Sequence, residues 1–162
     1  LQGRQTAAAD ASYRSLGPAL DRELQGLSGS PVLWPDAHRQ ADYQYWVLHR
    51  PTWRLSRLPR IAIGLEWRRS QAKFSHATVG LVSFKGSEDR AHVLERLTPI
   101  LRERLPDASG TEYWPILVRG KAVRGHWAER QQFARTLVRT ICDLWERTYL
   151  IVDEVLAEID QG

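Results

Sequence analysis

The residues best equipped for chemistry in this 162-residue chain are five histidines, one cysteine and two arginine-rich tracts. The histidines are His38, His49, His76, His92 and His126, and none lies three or four residues from another. No His-Glu-x-x-His run occurs. Close histidine spacing is the sequence mark of the common zinc motifs, so no histidine metal site is expected. Cys142 stands alone, which rules out an intrachain disulfide and a cysteine zinc cluster. Its flanks, Thr140-Ile141 and Leu144-Trp145, read as helix core, so an inert buried thiol is expected. There is no Gly-x-Ser-x-Gly elbow and no phosphate loop. From motifs alone no catalytic residue, no metal and no cofactor is expected.

The cations carry more information. Lysine and arginine total 23 against 19 carboxylates, a net charge of +4, and only Lys73, Lys85 and Lys121 are lysines. A guanidinium fork pairs with phosphate or carboxylate through two parallel bonds. A GC-rich genome also raises arginine content, and a charge of this size does not by itself demand nucleic acid. The first basic tract is His49-Arg50-Pro51-Thr52-Trp53-Arg54-Leu55-Ser56-Arg57-Leu58-Pro59-Arg60, continued after a strand by Arg68, Arg69 and Lys73. Arg50, Arg54, Arg57, Arg68 and Arg69 are expected to contact phosphates, with the Trp53 indole stacking on a base. Hairpin loops at one end of a meander would merge them into one patch. The simpler reading is a solubilised hairpin edge protected by charge. The second tract is Gly120-Lys121-Ala122-Val123-Arg124-Gly125, just before a helix. Its free N–H groups could receive an anion, with Lys121, Arg124, His126 and Arg130 gathered there; the simpler reading is a solvated connection.

The elements that must position these residues follow from periodicity. Residues 1–11 are small and polar and read as a frayed tail. Leu16, Leu20, Leu24 and Leu27 recur at helical spacing over Ser12 to Leu27, with Pro18 in the first turn and Gly26 to Ser30 ending the helix. Pro31 to Gln40 reads as a loop. Tyr43 to Leu48, Arg60 to Trp67 and Thr78 to Phe84 are strands; Ile61, Ile63, Leu65 and Trp67 share one face. Short connections between them predict an antiparallel meander. Ser87 is expected to cap a helix with Glu88 and Asp89 in its first turn. Val93, Leu94, Leu97, Ile100, Leu101 and Leu105 form its stripe, kinked or broken at Pro99. Glu112 to Val118 is a strand, edge or bulged because of Pro115. A helix then runs from Trp127 to Ile159, about 50 Å at 1.5 Å per residue. That length predicts a break near Thr148-Tyr149, or an end that projects onto a partner.

The fold class is therefore α+β: an antiparallel meander of about four strands, packed on one face by helices, with a long C-terminal helix. Residues 12–162 form a single domain after the tail. No apolar run reaches about 18 residues, so no membrane span is expected, and Leu1 to Ala9 lack a signal-peptide core. A cytoplasmic protein is expected. The chain has no methionine, so its first residue is expected not to be the translation start.

The order helix, three strands, helix, strand resembles the core of restriction-endonuclease-like nucleases, the PD-(D/E)XK superfamily. Pro35-Asp36 followed by Glu66-Trp67-Arg68 is similar to its motif. The family's chemistry needs two carboxylates on Mg²⁺ and a lysine to position water. Here Arg68 stands in the lysine position, and arginine offers no neutral amine. Asp42 is as good a first carboxylate as Asp36. A second resemblance covers residues 43–158. It is to uncharacterised bacterial domains found attached to such nucleases, carried by Ile61 to Trp67, Val93 to Leu105, Tyr113-Trp114 and Trp127 onward. It implies a role near DNA processing or phage defence and brings no catalytic residues.

Of seven tryptophans, Trp46, Trp67 and Trp145 fit core positions, while Trp34, Trp53, Trp114 and Trp127 lie at element ends. Exposed Trp beside Arg also suits a protein interface. Three functions follow. The first is a non-catalytic nucleic-acid-binding or nuclease-associated accessory domain. The second is a protein-interaction module, immunity-type or homodimeric through residues 127–159. The third is a weak Mg²⁺-dependent nuclease using Glu66.

Overall fold

A computed structural model describes residues 16–34, 43–68, 77–84, 86–87, 89–106, 108–110, 116–118 and 127–162. The tail expected over residues 1–11 lies outside them. Helix α1 occupies 16–24. There follow β1 (Val32–Leu33), β2 (Tyr43–His49), a 3-10 turn (Pro51–Trp53), β3 (Ala62–Arg68), β4 (Ala77–Val82), α2 (Arg90–Arg104), β5 (Ile116–Val118) and α3 (Trp127–Gln161). The sheet order is β1-β2-β3-β4-β5 and every pairing is antiparallel.

Strand alternation sorts the sheet into two faces. Trp46, Leu65 and Val79 stand in one register row, and Leu48, Ile63 and Leu81 in the next. Together with Ile61 they meet Leu16 and Leu20 of α1, Val93, Leu97 and Leu101 of α2, and the α3 stripe from Leu137 to Leu156 in one core. Each fully buried Leu or Ile contributes about 1.5–3 kcal/mol relative to exposure. The opposite face carries Val47, Ala62, Val82 and Phe84 beneath Trp34 and Leu58. The helices thus pack on one face of an antiparallel meander, the α+β architecture that the pattern predicts. No helix among the described residues is long and apolar enough to cross a membrane.

Local expectations fared unevenly. Val32–Leu33, read as loop, forms an edge strand on β2, too short to leave a periodic signal. The expected Ser87 cap does not form: Asp89 occupies the N-cap with φ 58° and no side-chain bond, and the Ser87 hydroxyl is buried without a partner. A Phe84–Ser87 turn and left-handed Asp89 intervene before helical geometry starts. Pro99 does not break α2; it lies on the exposed side, where the carbonyl it leaves unpaired can meet water. Nor does α3 break at Thr148. Thr148 is buried and its hydroxyl donates to the Leu144 carbonyl at 2.6 Å, inside an unbroken helix. The far end does not project either, since Val152, Val155 and Leu156 are buried in the chain's own core.

Candidate functional site

The β2–β3 connection, 50–61, holds most of the first arginine tract, and its residues divide sharply by role. Trp53 ends the 3-10 turn begun by Pro51, which turns its indole inward. There it is 1% exposed, stacks on Trp145 at 5.1 Å, and donates its Nε1–H to Asp153 Oδ1 at 2.7 Å. Both faces of the ring are sequestered, so the expected stacking on a base does not hold: Trp53 is a core residue. Arg50 pairs with the other oxygen of Asp153. That carboxylate is thereby shared between an indole and a guanidinium, and Arg50 is engaged within the domain rather than presented to a phosphate.

Arg60 is buried more completely still. Its Nε donates to the Trp53 carbonyl at 3.2 Å, and Nη2 to the Thr52 carbonyl at 3.1 Å. Nη1 and Nη2 reach Asp160 at 2.7 and 3.2 Å, a two-bond fork. One side chain therefore satisfies the turn's carbonyls and ties them to the last turn of α3. His49, also buried, donates Nδ1–H to the Arg50 carbonyl at 3.0 Å. Burial holds its pKa below the ordinary value, the Arg50 carbonyl works against that, and the Arg54 charge adds to it.

Arg54 and Arg57 remain at the exposed tip of the connection, closed by a bridge between Arg54 and Pro59. The Arg54 guanidinium folds across the tip to the carbonyls of Ser56 and Arg57. Cys142, expected to be buried, is half-buried, and its pKa is raised to about 11 by burial and by Glu23 and Glu146, which disfavours the reactive thiolate.

The other cations attach to the opposite end of the sheet. β2 enters the 50–61 connection at His49, while β3 finishes at Arg68, paired with Tyr43. A strand of seven residues separates the two ends by about 20 Å. The single patch expected from hairpin loops at one end is thus not formed, because antiparallel neighbours put successive hairpins at opposite ends. β5 runs antiparallel to β4 and finishes at Val118 opposite Val79, level with Leu65 in the middle of β3 and heading toward the Arg68 end. The connections 69–76 and 119–126 therefore leave strands that head toward the same end of the sheet, from points about 14 Å apart, two strand spacings across and three residues along. In sequence they carry Arg69, Lys73, Arg119, Lys121 and Arg124 and no carboxylate. Arg69, Lys121 and Arg124 lie outside the described residues. Arg130 belongs to the first turn of α3. The 35–42 connection opens at the same end and brings Asp36 and Asp42 with Arg39.

No protein-family model, curated protein or solved structure matches this chain. The chemistry of its residues is therefore the basis for a function.

Glu66 lies on β3 two residues before Arg68, 8% exposed, opposite Tyr45 and Thr78. Asp36 and Asp42, its candidate partners, lie outside the described residues. Among the described residues no three metal-binding side chains cluster. Trp34, expected to be partly exposed, is half-buried, with its ring edge-on to Phe84 at 5.4 Å. Sequence reasoning missed Asp153 and Asp160 as the anchors of the arginine tract. They lie about a hundred residues away along the chain, and no local signal links them.

Proposed function

We propose that this chain is a non-catalytic nucleic-acid-binding domain, of the accessory kind that accompanies nucleases, and that it grips phosphates at the Arg68 end of its sheet. One observation carries the reading. The strand order points the ends of β3 and β5 toward the same end of the sheet, so two carboxylate-free basic connections start about 14 Å from each other. Arg68, Arg69, Lys121, Arg124 and Arg130 are the contacts in this reading, with Lys73 and Arg119 beside them. Arg50 and Trp53 drop out, held by Asp153. The homodimer through residues 127–159 has less support, because the described apolar stripe of α3 is already covered by the sheet and α2.

The test is binding to labelled single- and double-stranded DNA and RNA at two salt concentrations, with and without Mg²⁺. Contact with five phosphates gives a slope of log affinity on log salt of about −4.5 for duplex DNA. Lys121→Glu with Arg124→Glu lowers affinity and flattens that slope. Salt-independent binding, or none at low salt, rejects the reading. Cleavage that needs Mg²⁺ and is lost in Glu66→Gln would replace it with the nuclease.

A further inference from the structure

The tip 54–59 is built unlike an ordinary surface loop. Both of its shoulders are nailed to α3, Trp53 through Asp153 and Arg60 through Asp160. The Arg54 guanidinium closes the tip from within through the carbonyls of Ser56 and Arg57. Leu58 turns inward against the second apolar cluster. Held out by this frame are Leu55, 48% exposed, and Arg57, which has no ion-pair partner among the described residues. An apolar side chain fixed at a rigid apex beside a free guanidinium, with the Arg54 charge adjoining, is pre-paid in conformational entropy for association.

We infer that this tip is a docking knuckle for a protein partner, one whose surface offers carboxylates around an apolar notch that receives Leu55. Charge selects the partner: Arg54 and Arg57 supply two positive charges with no carboxylate between residues 50 and 60. A nucleic acid is the poorer occupant, because leucine has no π-face and the tract's one indole is buried. A membrane is poorer too, because a single leucine gives little insertion. The inference is independent of phosphate binding at the Arg68 end, about 20 Å away.

The experiment uses the full chain, ¹⁵N-labelled. The probe is a fluorescein-labelled peptide alternating Asp or Glu with Leu and Phe, set against a control in which every acid is Lys. Binding of the acidic peptide with shifts confined to 54–59 and adjoining residues, weakened about tenfold or more by Leu55→Asp and by Arg57→Glu, is the expected result. Both sites are exposed, so an unchanged melting temperature shows that the variants fold. No binding up to about 1 mM peptide overturns the inference. So does binding that Leu55→Asp leaves intact, or a DNA duplex that shifts 54–59 where the peptide does not. Arg68→Glu leaves peptide affinity unchanged, which separates this outcome from the fate of the nucleic-acid reading.

Discussion

At the scale of single residues, two positions carry consequences out of proportion to their size. Gly29 has φ +77°, and a Cβ there would sit 2.7 Å from Cε2 of Tyr149. Any retreat of Tyr149 disturbs its stacking on Trp145, whose ring lies parallel at 5.6 Å and which in turn donates its indole N–H to the Ser28 carbonyl. Gly29→Ala should therefore cost about 1–3 kcal/mol, read as a lowered denaturation midpoint with an unchanged slope. His49 supplies a pH dependence. Its folded pKa is below 6.5, so above that pH the ring is neutral in both folded and unfolded chains and its contribution is intact. Below 6.5 the unfolded chain takes the proton more readily, and stability falls until the pH passes the lowered folded value. Thermal melts between pH 8 and pH 5 should show this loss, and His49→Gln should remove its share of it. A wild-type and variant pair with parallel profiles would sink the assignment.

At the scale of elements, the 50–61 connection and the second half of α3 form one unit. Arg50, Trp53 and Arg60 on the connection meet Asp153 and Asp160 on the helix, and Arg96 of α2 adds a pair with Glu158. These contacts differ in weight. Asp153 is 22% exposed and serves two donors, whereas Asp160 is 47% exposed and its pair is screened by water. Asp153→Ala leaves the buried Trp53 N–H without an acceptor and should cost about 1–3 kcal/mol. Asp160→Ala should cost less, because water can replace the lost oxygen. Chemical denaturation of both variants tests the order, and equal losses would contradict it. The periodic elements were legible in the sequence: Trp46, Leu48, Ile63, Leu65, Val79 and Leu81 alternate as a half-buried sheet must. The Ser87 cap and the Pro99 break were not, since both depend on how the chain enters α2 and which side of it faces water.

At the scale of the whole molecule, charge is separated along the sheet. Two of the four arginines at the β2–β3 end, Arg50 and Arg60, are paired with carboxylates of α3, while the Arg68 end opens two connections without carboxylates. Reversing charge at the Arg68 end should weaken nucleic-acid binding most at low salt, where unscreened phosphates attract farthest. Reversing Arg57 should leave that binding unchanged and act only on a protein partner. Anisotropy titrations of the two variants with one labelled duplex make the comparison, and equal effects would show that the ends do not act separately.

The sequence alone determined the α+β class, the meander, the long final helix and the inventory of cations, because periodicity and composition are local properties of a chain. The tertiary structure alone decided which cations are available. Arg50 and Trp53 read as ligand contacts in one dimension, yet both are held by Asp153, about a hundred positions away, and Trp53 is buried. Arg57 and Arg68 are near in sequence but sit at opposite ends of a strand, while β3 and β5, distant in sequence, run out toward the same end of the sheet. Antiparallel pairing and the docking of α3 set those relations, and neither is written in any local stretch of residues.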